Sequence, residues 1–337
     1  MTPFLEELAI AAVKVGAIIG LLLGLFSFMT WAERRLLALM QFRLGPNRTG
    51  PLGLLQPVAD GIKLFFKEET IPEGAHRGLF LAAPVIAVVT AFTAIAVVPY
   101  GPTLELFGRQ VPLQIASLDV GLLFIFAVTS LGVYSVVLAG YASNNKFGLL
   151  GGLRSSAQMF SYELTLGMSW VGVIMLAQSF QIADIVGAQA GGFWRWNLAL
   201  QPLAAFTYFA AATAEVSRTP FDLTEAEQEL VAGFHTEYSS MRFALLQMAE
   251  YVNIITVAVL AVNLFLGGWH FPFPGVPASP LWFALKVAAV LFVFIWLRGT
   301  LPRLRYDQLM AFGWKVLLPL VTLNILVTAA LVQAGVL

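Results

Sequence analysis

Long apolar runs separated by short polar connections dominate the chain. Eight of them, near 8–32, 79–99, 119–141, 158–178, 198–217, 243–267, 281–298 and 313–334, are apolar and long enough to cross about 30 Å of hydrocarbon, which takes about 20 helical residues. The fourth, fifth and sixth contain carboxylates but are otherwise too apolar for soluble helices. A further stretch, Leu54–Lys67, is amphipathic: Leu55, Val58, Ile62, Phe65 and Phe66 follow helical spacing, while Asp60, Lys63 and Lys67 fall elsewhere. Such a helix lies in the membrane interface or packs on a partner. The pattern predicts an all-α polytopic membrane protein with eight transmembrane helices and an interfacial helix. It forms one integral domain, 1–337, with a polar loop at 33–78 and an acidic loop at 218–242. The even count puts both termini on one side.

Charge orients the spans. The first connection carries Arg34, Arg35, Arg43, Arg48, Lys63, Lys67 and Arg77. The third has Lys146 and Arg154, the fifth Arg218 and Arg242, the seventh Arg298, Arg303 and Arg305. The alternate connections hold only Arg109 and Arg195. Lys/Arg-rich connections stay in the cytoplasm or matrix, so both termini are expected outside. The start, with Glu6 and Glu7 before a long apolar segment, lacks the basic opening and short apolar core of a cleavable signal peptide.

Composition removes other classes. Mean hydropathy is +0.82 and only 11% of residues are charged, against about 25% in soluble domains. With no cysteine, disulfides, thiolate zinc sites and Cys-ligated clusters are excluded. The formal net charge of zero provides no bulk attraction for nucleic acid. Nucleotide-binding glycine motifs and a nucleophile elbow are missing. His76, His235 and His270 all fall outside the mid-span regions, so axial ligands for a haem pair are missing too.

An ionisable group at bilayer depth is a functional candidate by default because burying it costs several kcal/mol, roughly. Glu33 is expected to end the first span, and Glu215 to lie near the cytoplasmic end of the fifth. Glu163 falls roughly 8 Å into the fourth span and Glu250 roughly 10 Å into the sixth, at about 1.5 Å per residue. All four occupy the cytoplasmic half, which suggests a proton relay. The competing reading pairs each with Arg or backbone for packing alone. Lys14 and Lys286 lie near the outer face and are expected to snorkel to water without a functional role. In the acidic loop, helical projection puts Asp222, Glu225 and Glu229 on one face and Glu227 about 160° away. Crowded carboxylates raise one another's pKa, which suits proton uptake. The spacing does not match an EF-hand, and His235 has no paired metal ligand in sequence. The plainer alternative is a solvated loop docking a basic partner.

Two segments resemble a known family. They are Glu33-Arg34-Arg35 with Arg43 through Pro51 and Leu54 through Lys63, and Pro220-Phe221-Asp222-Leu223-Thr224-Glu225-Ala226-Glu227 through Glu229-Leu230 and Gly233. Glu237-Tyr238, Ala249-Glu250-Tyr251 and Leu301 through Leu309 are similar to it as well. The family is that of the quinone-site subunit of proton-pumping NADH:quinone oxidoreductase, respiratory complex I. The resemblance covers almost the whole chain. Departures are small: His235 stands where many members have Asn, and Ser240 where many have Gly.

The resemblance implies a membrane subunit at the junction with the peripheral arm. FMN and iron–sulfur clusters would sit only in partner subunits, and quinone would be the substrate. Partners would be peripheral-arm quinone-module subunits, neighbouring membrane-arm subunits and lipid, in a bacterial inner membrane or a mitochondrial one. It assigns Arg218, Asp222, Glu225, Glu227, Glu229, Glu237, Arg34, Arg35, Arg43, Asp60 and Lys63 to the quinone chamber and coupling loop. Glu33, Glu163, Glu215 and Glu250 would carry the proton relay. Rivals are the anchor subunit of a related membrane-bound hydrogenase or dehydrogenase, a structural anchor, and a secondary transporter. The last would show matched Gly/Pro-broken halves, which the sequence lacks.

Overall fold

The computed structural model describes residues 3–106, 109–222 and 231–335. It is all-α apart from one short antiparallel hairpin, β1 (Leu104–Leu106) with β2 (Arg109–Val111). Among the described residues, seven helices are long and apolar enough to cross a membrane. The first is α1, Pro3–Met40. It runs past the expected end near residue 32, because Glu33, Arg34, Arg35, Leu36 and Leu37 are all good helix formers. Glu33 therefore lies inside this helix. The amphipathic stretch forms α2, Gln56–Phe66, with Pro57 in its first turn. No residue of α2 is buried, and Val58, Ile62, Phe65 and Phe66 are all exposed.

α3 (Arg77–Ile95) and α4 (Gly121–Ala142) follow the expected spans. α5, Lys146–Ala177, starts twelve residues before its expected start at 158. Its first turns contain Gly148, Gly151 and Gly152, which weaken the sequence signal for a helix. They allow backbone-to-backbone packing instead: a Cβ on Gly140 would meet the Gly148 carbonyl oxygen at 2.6 Å. Glu163 consequently lies near the middle of α5 rather than near its start.

The fifth expected span is broken. A turn, α7 (Asn197–Leu200), precedes α8 (Pro202–Glu215), with α6 (Ile182–Ala188) before both. Pro202 begins a helix but cannot continue one, so α8 is a fourteen-residue element, roughly 21 Å long. α9 (Ser240–Phe265) and α10 (Pro280–Thr300) match their spans closely. The last span comprises α11 (Tyr306–Phe312), a π-turn (Gly313–Leu317) and α12 (Leu318–Gln333). The Tyr162 hydroxyl donates to the Leu309 carbonyl at 2.7 Å. A side chain inserted into the carbonyl ladder in this way is a recognised cause of such widening.

Burial sorts the helices. In α9, 67% of the most apolar window is buried, against 6% in α1, so α9 is the central post and α1 a peripheral stave. The main core gathers Leu122, Ile125, Trp170, Tyr208, Ile255 and Phe265, among others, around α9.

Lys286 departs from the expectation that it snorkels. Its ammonium donates to the carbonyls of Leu266 (2.6 Å), Gly268 (3.0 Å) and His270 (2.5 Å), and it sits 4.1 Å from the Trp196 ring centroid. It thus satisfies carbonyls of the turn that follows α9, near the negative end of that helix's dipole.

Candidate functional site

Of the residues expected to carry chemistry, Glu33, Arg218 and Glu250 meet where α1, α9 and α10 adjoin the turn after α8. That turn is tight: Ser217 has a φ of 51°, and the Arg218 amide bonds back to the Thr213 carbonyl. It delivers Arg218, 6% exposed, between two carboxylates. Arg218 reaches Glu33 at 3.1 Å through Nη1 and Glu250 at 3.2 Å through Nη2. Its guanidinium stacks 4.9 Å from the Tyr251 ring centroid. The Tyr251 hydroxyl donates to the second oxygen of Glu33 at 2.7 Å, and Arg298 also pairs with Glu33. Two carboxylates thus meet two guanidiniums, and the formal charges cancel. That balance, with hydrogen bonds to both oxygens of Glu33, makes such burial tolerable.

Next to this cluster lies a cavity of about 100 Å³, bounded by α3, α4, α5, α8, α9 and the turn at 233–235. Its lining includes Glu215, Glu250, Tyr208, Gln247, Asn253 and His235. At roughly 10–15 Å³ per water centre the space holds several waters, and its polar lining supplies partners for them. Glu215 ends α8 at this cavity, and its Oε2 is enclosed without a hydrogen-bond partner among the described residues. Glu163, on α5, is buried and accepts a hydrogen bond from the Ser130 hydroxyl. It is close enough to Glu215 for their charges to interact. Glu33 and Glu250 thus share Arg218, Glu250 and Glu215 line the cavity, and Glu163 lies beyond Glu215 without lining it.

The acidic loop is anchored at its described start. Asp222 is buried and pairs with Arg303 at 3.0 Å, while the Leu304 amide donates to the Pro220 carbonyl at 2.9 Å. Phe221 packs against Tyr162 and Phe312. Glu225, Glu227 and Glu229 lie outside the described residues, and so does the projected helical face they share with Asp222.

The remaining candidates occupy other places. Arg34 pairs with Asp60 at 2.6 Å and ties α2 to α1. Arg35 donates to the Pro46 carbonyl at 3.0 Å, and exposed Arg43 donates to Gln41 at 2.7 Å. Lys63 is exposed on α2. Glu237 is not at the cavity: it accepts from Asn145 at 2.7 Å, the residue that caps the start of α5. His235, 8% exposed, lies edge-on between Phe234 and Phe243 and lines the cavity.

Three contributors escaped the sequence reading. Tyr251 and Arg298 were visible only as a neighbour of Glu250 and as one more loop charge. Gln158, fully buried, donates from its single Nε2 to the carbonyls of Ala214 (2.7 Å) and Phe221 (2.8 Å). It braces both ends of the turn that presents Arg218. A lone Gln at the edge of an apolar run gives no signal of this.

Fold and site together define a polytopic membrane protein with carboxylates gathered at and beside an internal cavity that Glu215 and Glu250 line. The family model described as NADH dehydrogenase matches residues 13–329, and the chain belongs to that family. It is 53% identical to an NADH-quinone oxidoreductase H-type chain of Geobacter metallireducens, with 97% of this chain and 98% of the relative covered. The corresponding H-type chain of Syntrophotalea carbinolica is 52% identical, with 98% of each covered, and one from Koribacter versatilis is 51% identical, with 96% and 97% covered.

Proposed function

We propose that this chain is the membrane subunit of proton-translocating NADH:quinone oxidoreductase that lines the quinone chamber and begins the coupling of quinone reduction to proton movement. Family membership supports the first part. The single structural observation behind the second is Arg218, shared between Glu33 and Glu250 at the edge of a cavity that also holds Glu215. Electrons reach the quinone from FMN and iron–sulfur clusters in partner subunits. The acidic-loop face is cytoplasmic, both termini are outside, and the membrane is the bacterial inner membrane.

Reduction of a quinone beside the loop draws protons and alters local charge. Arg218 feels that change and divides its attraction between Glu33 and Glu250 accordingly. Weakening its hold on Glu250 leaves that carboxylate ready to take a proton from cavity water. Glu215 and Glu163 continue the transfer. The apolar face of α2 and its Arg34–Asp60 tie to α1 suit the approach of a lipid-like substrate from the bilayer. Glu163→Gln and Glu227→Gln, made in the intact complex, are expected to lower coupled quinone reductase activity without loss of assembly. Wild-type turnover and pumping in both would refute the relay.

A further inference from the structure

The cavity lies on one side of α5. An adjoining face, about 100° around the helix at about 100° per residue, packs on α8 and α12, and it too is polar. Gln158, Thr165, Ser169 and Gly172 fall within an arc of about 60° at about 100° per residue. They span roughly 21 Å along the helix axis at about 1.5 Å per residue. Gln158 contacts the end of α8 next to Glu215, and Gly172 contacts its beginning, where Gln201 Nε2 donates to the Gly172 carbonyl at 2.9 Å.

Four polar atoms along this seam have no hydrogen-bond partner among the described residues: Gln158 Oε1, Thr165 Oγ1, Gln201 Oε1 and Asn324 Nδ2. Their residues are 0%, 1%, 2% and 7% exposed. Buried polar atoms are almost always paired, through water if not through protein. Two on the α5 face and two that approach it at Gly172 therefore call for partners along the seam. The last two are the most telling. A Cβ on Gly172 would lie 2.5 Å from Gln201 Oε1 and 3.1 Å from Asn324 Nδ2. One acceptor and one donor thus face the space that the missing side chain leaves. They are not bonded to each other, yet a bridge of two hydrogen bonds of about 2.8 Å each reaches both. A water accepts from the amide nitrogen and donates to the amide oxygen. A bound cation would meet the Asn324 N–H group head-on.

We propose that the seam of α5 against α8 and α12 binds a file of waters from Gln158 to the Gly172–Gln201–Asn324 site, and that this hydrated seam carries protons from Glu215 toward the outer face. The inference rests on the relay reading above and assigns the far half of the route to this chain itself. The route passes from the cavity face to the seam at Gln158, whose Nε2 holds the Ala214 carbonyl beside Glu215 and whose Oε1 is left without a partner among the described residues.

The test uses the intact complex. A high-resolution electron cryomicroscopy map is expected to show density within hydrogen-bond distance of both Gln201 Oε1 and Asn324 Nδ2. Gly172→Ala, which places a methyl in the site, and Asn324→Leu, which removes the donor, should each lose that density. Each should also lower protons pumped per electron while NADH:quinone electron transfer is retained. If Gly172→Ala does not assemble, Asn324→Leu alone decides. Glu215→Gln is the reference. If it reduces pumping while the seam variants pump normally, or if the two amides bond directly with no density between them, the seam is overturned and the relay stands. Normal pumping in all three variants overturns both.

Discussion

The two ends of this helix bundle hold buried polar groups by different means. At the acidic-loop end, Glu33, Arg218, Glu250 and Arg298 form a network of full charges. At the opposite end the material is mostly neutral. Gln189 donates to the Asn263 carbonyl at 2.8 Å and accepts from the amides of Asn197 and Gly267, and Asn197 donates to the Leu264 carbonyl at 2.7 Å. Lys286 is a half-buried cation at that end, and carbonyl dipoles hold it rather than a carboxylate. Amides fix helices together but do not exchange protons near neutral pH. Carboxylates do both, at a much larger risk if one partner is lost. The division of materials matches a division of labour between switching and anchoring.

That comparison is most easily broken at Arg218. Arg218→Met leaves Glu33 and Glu250 short of a shared cation, and losing one partner of a buried ion pair typically costs about 3–5 kcal/mol. Assembled complex on native gels is expected to fall severely, and the double change with Glu33→Gln should recover part of it. Equal losses in the single and double variants would show that the charges do not act as a unit. At the anchoring end the effect is smaller. Lys286→Met strands the three carbonyls it now serves, at about 1–3 kcal/mol for buried groups left unsatisfied. The thermal midpoint of the complex should drop while turnover per assembled complex is unchanged. Reduced turnover at full assembly would place chemistry at this end too.

A third variant sharpens the picture at the rim on the acidic-loop side. Ser240 adopts a φ of 55° and is 1% exposed, and its hydroxyl lies within bonding distance of the Leu64 and Lys67 carbonyls (2.8 and 2.9 Å). The left-handed backbone explains why glycine suits this position. Serine accepts the strain and links α9 to the end of α2. Ser240→Ala should cost about 1 kcal/mol and increase protease cleavage after α2. Unchanged cleavage would mean that the link does not hold α2.

The smallest effect expected is on pH dependence at the anchoring end. Burial and then the Lys286 ammonium push His270 below the usual histidine range. The unfolded chain therefore takes up a proton first as pH falls. Stability is intact above about pH 6.5 and declines below it. His270→Asn should flatten the thermal midpoint between pH 7 and pH 5, and an identical decline in the variant would remove His270 as its source.

How much of this was legible beforehand follows from the kind of signal involved. Apolar runs and the Lys/Arg bias are local, and they located the helices and the amphipathic α2. The extent of α5 was not legible, because its glycines count against a helix until α4 lies against them. The break at Gln201–Pro202 hid inside an apolar run. Glu33, Glu163, Glu215 and Glu250 stood out because a carboxylate in apolar surroundings is conspicuous in one dimension. Gln158, Gln201 and Asn324 did not, since a lone amide is unremarkable until its unpaired atoms are seen to converge.

The sequence alone determined which segments prefer hydrocarbon, where the cations fall along the chain, and which acidic residues lie within or beside apolar runs. Those outcomes depend on transfer free energies of single side chains and short windows. Only the tertiary structure decided that Arg218 serves both Glu33 and Glu250, that Lys286 caps α9, and that Glu237 stands apart from the cavity. Each of these depends on distances between residues far apart in the chain, and such distances exist only once the helices have packed.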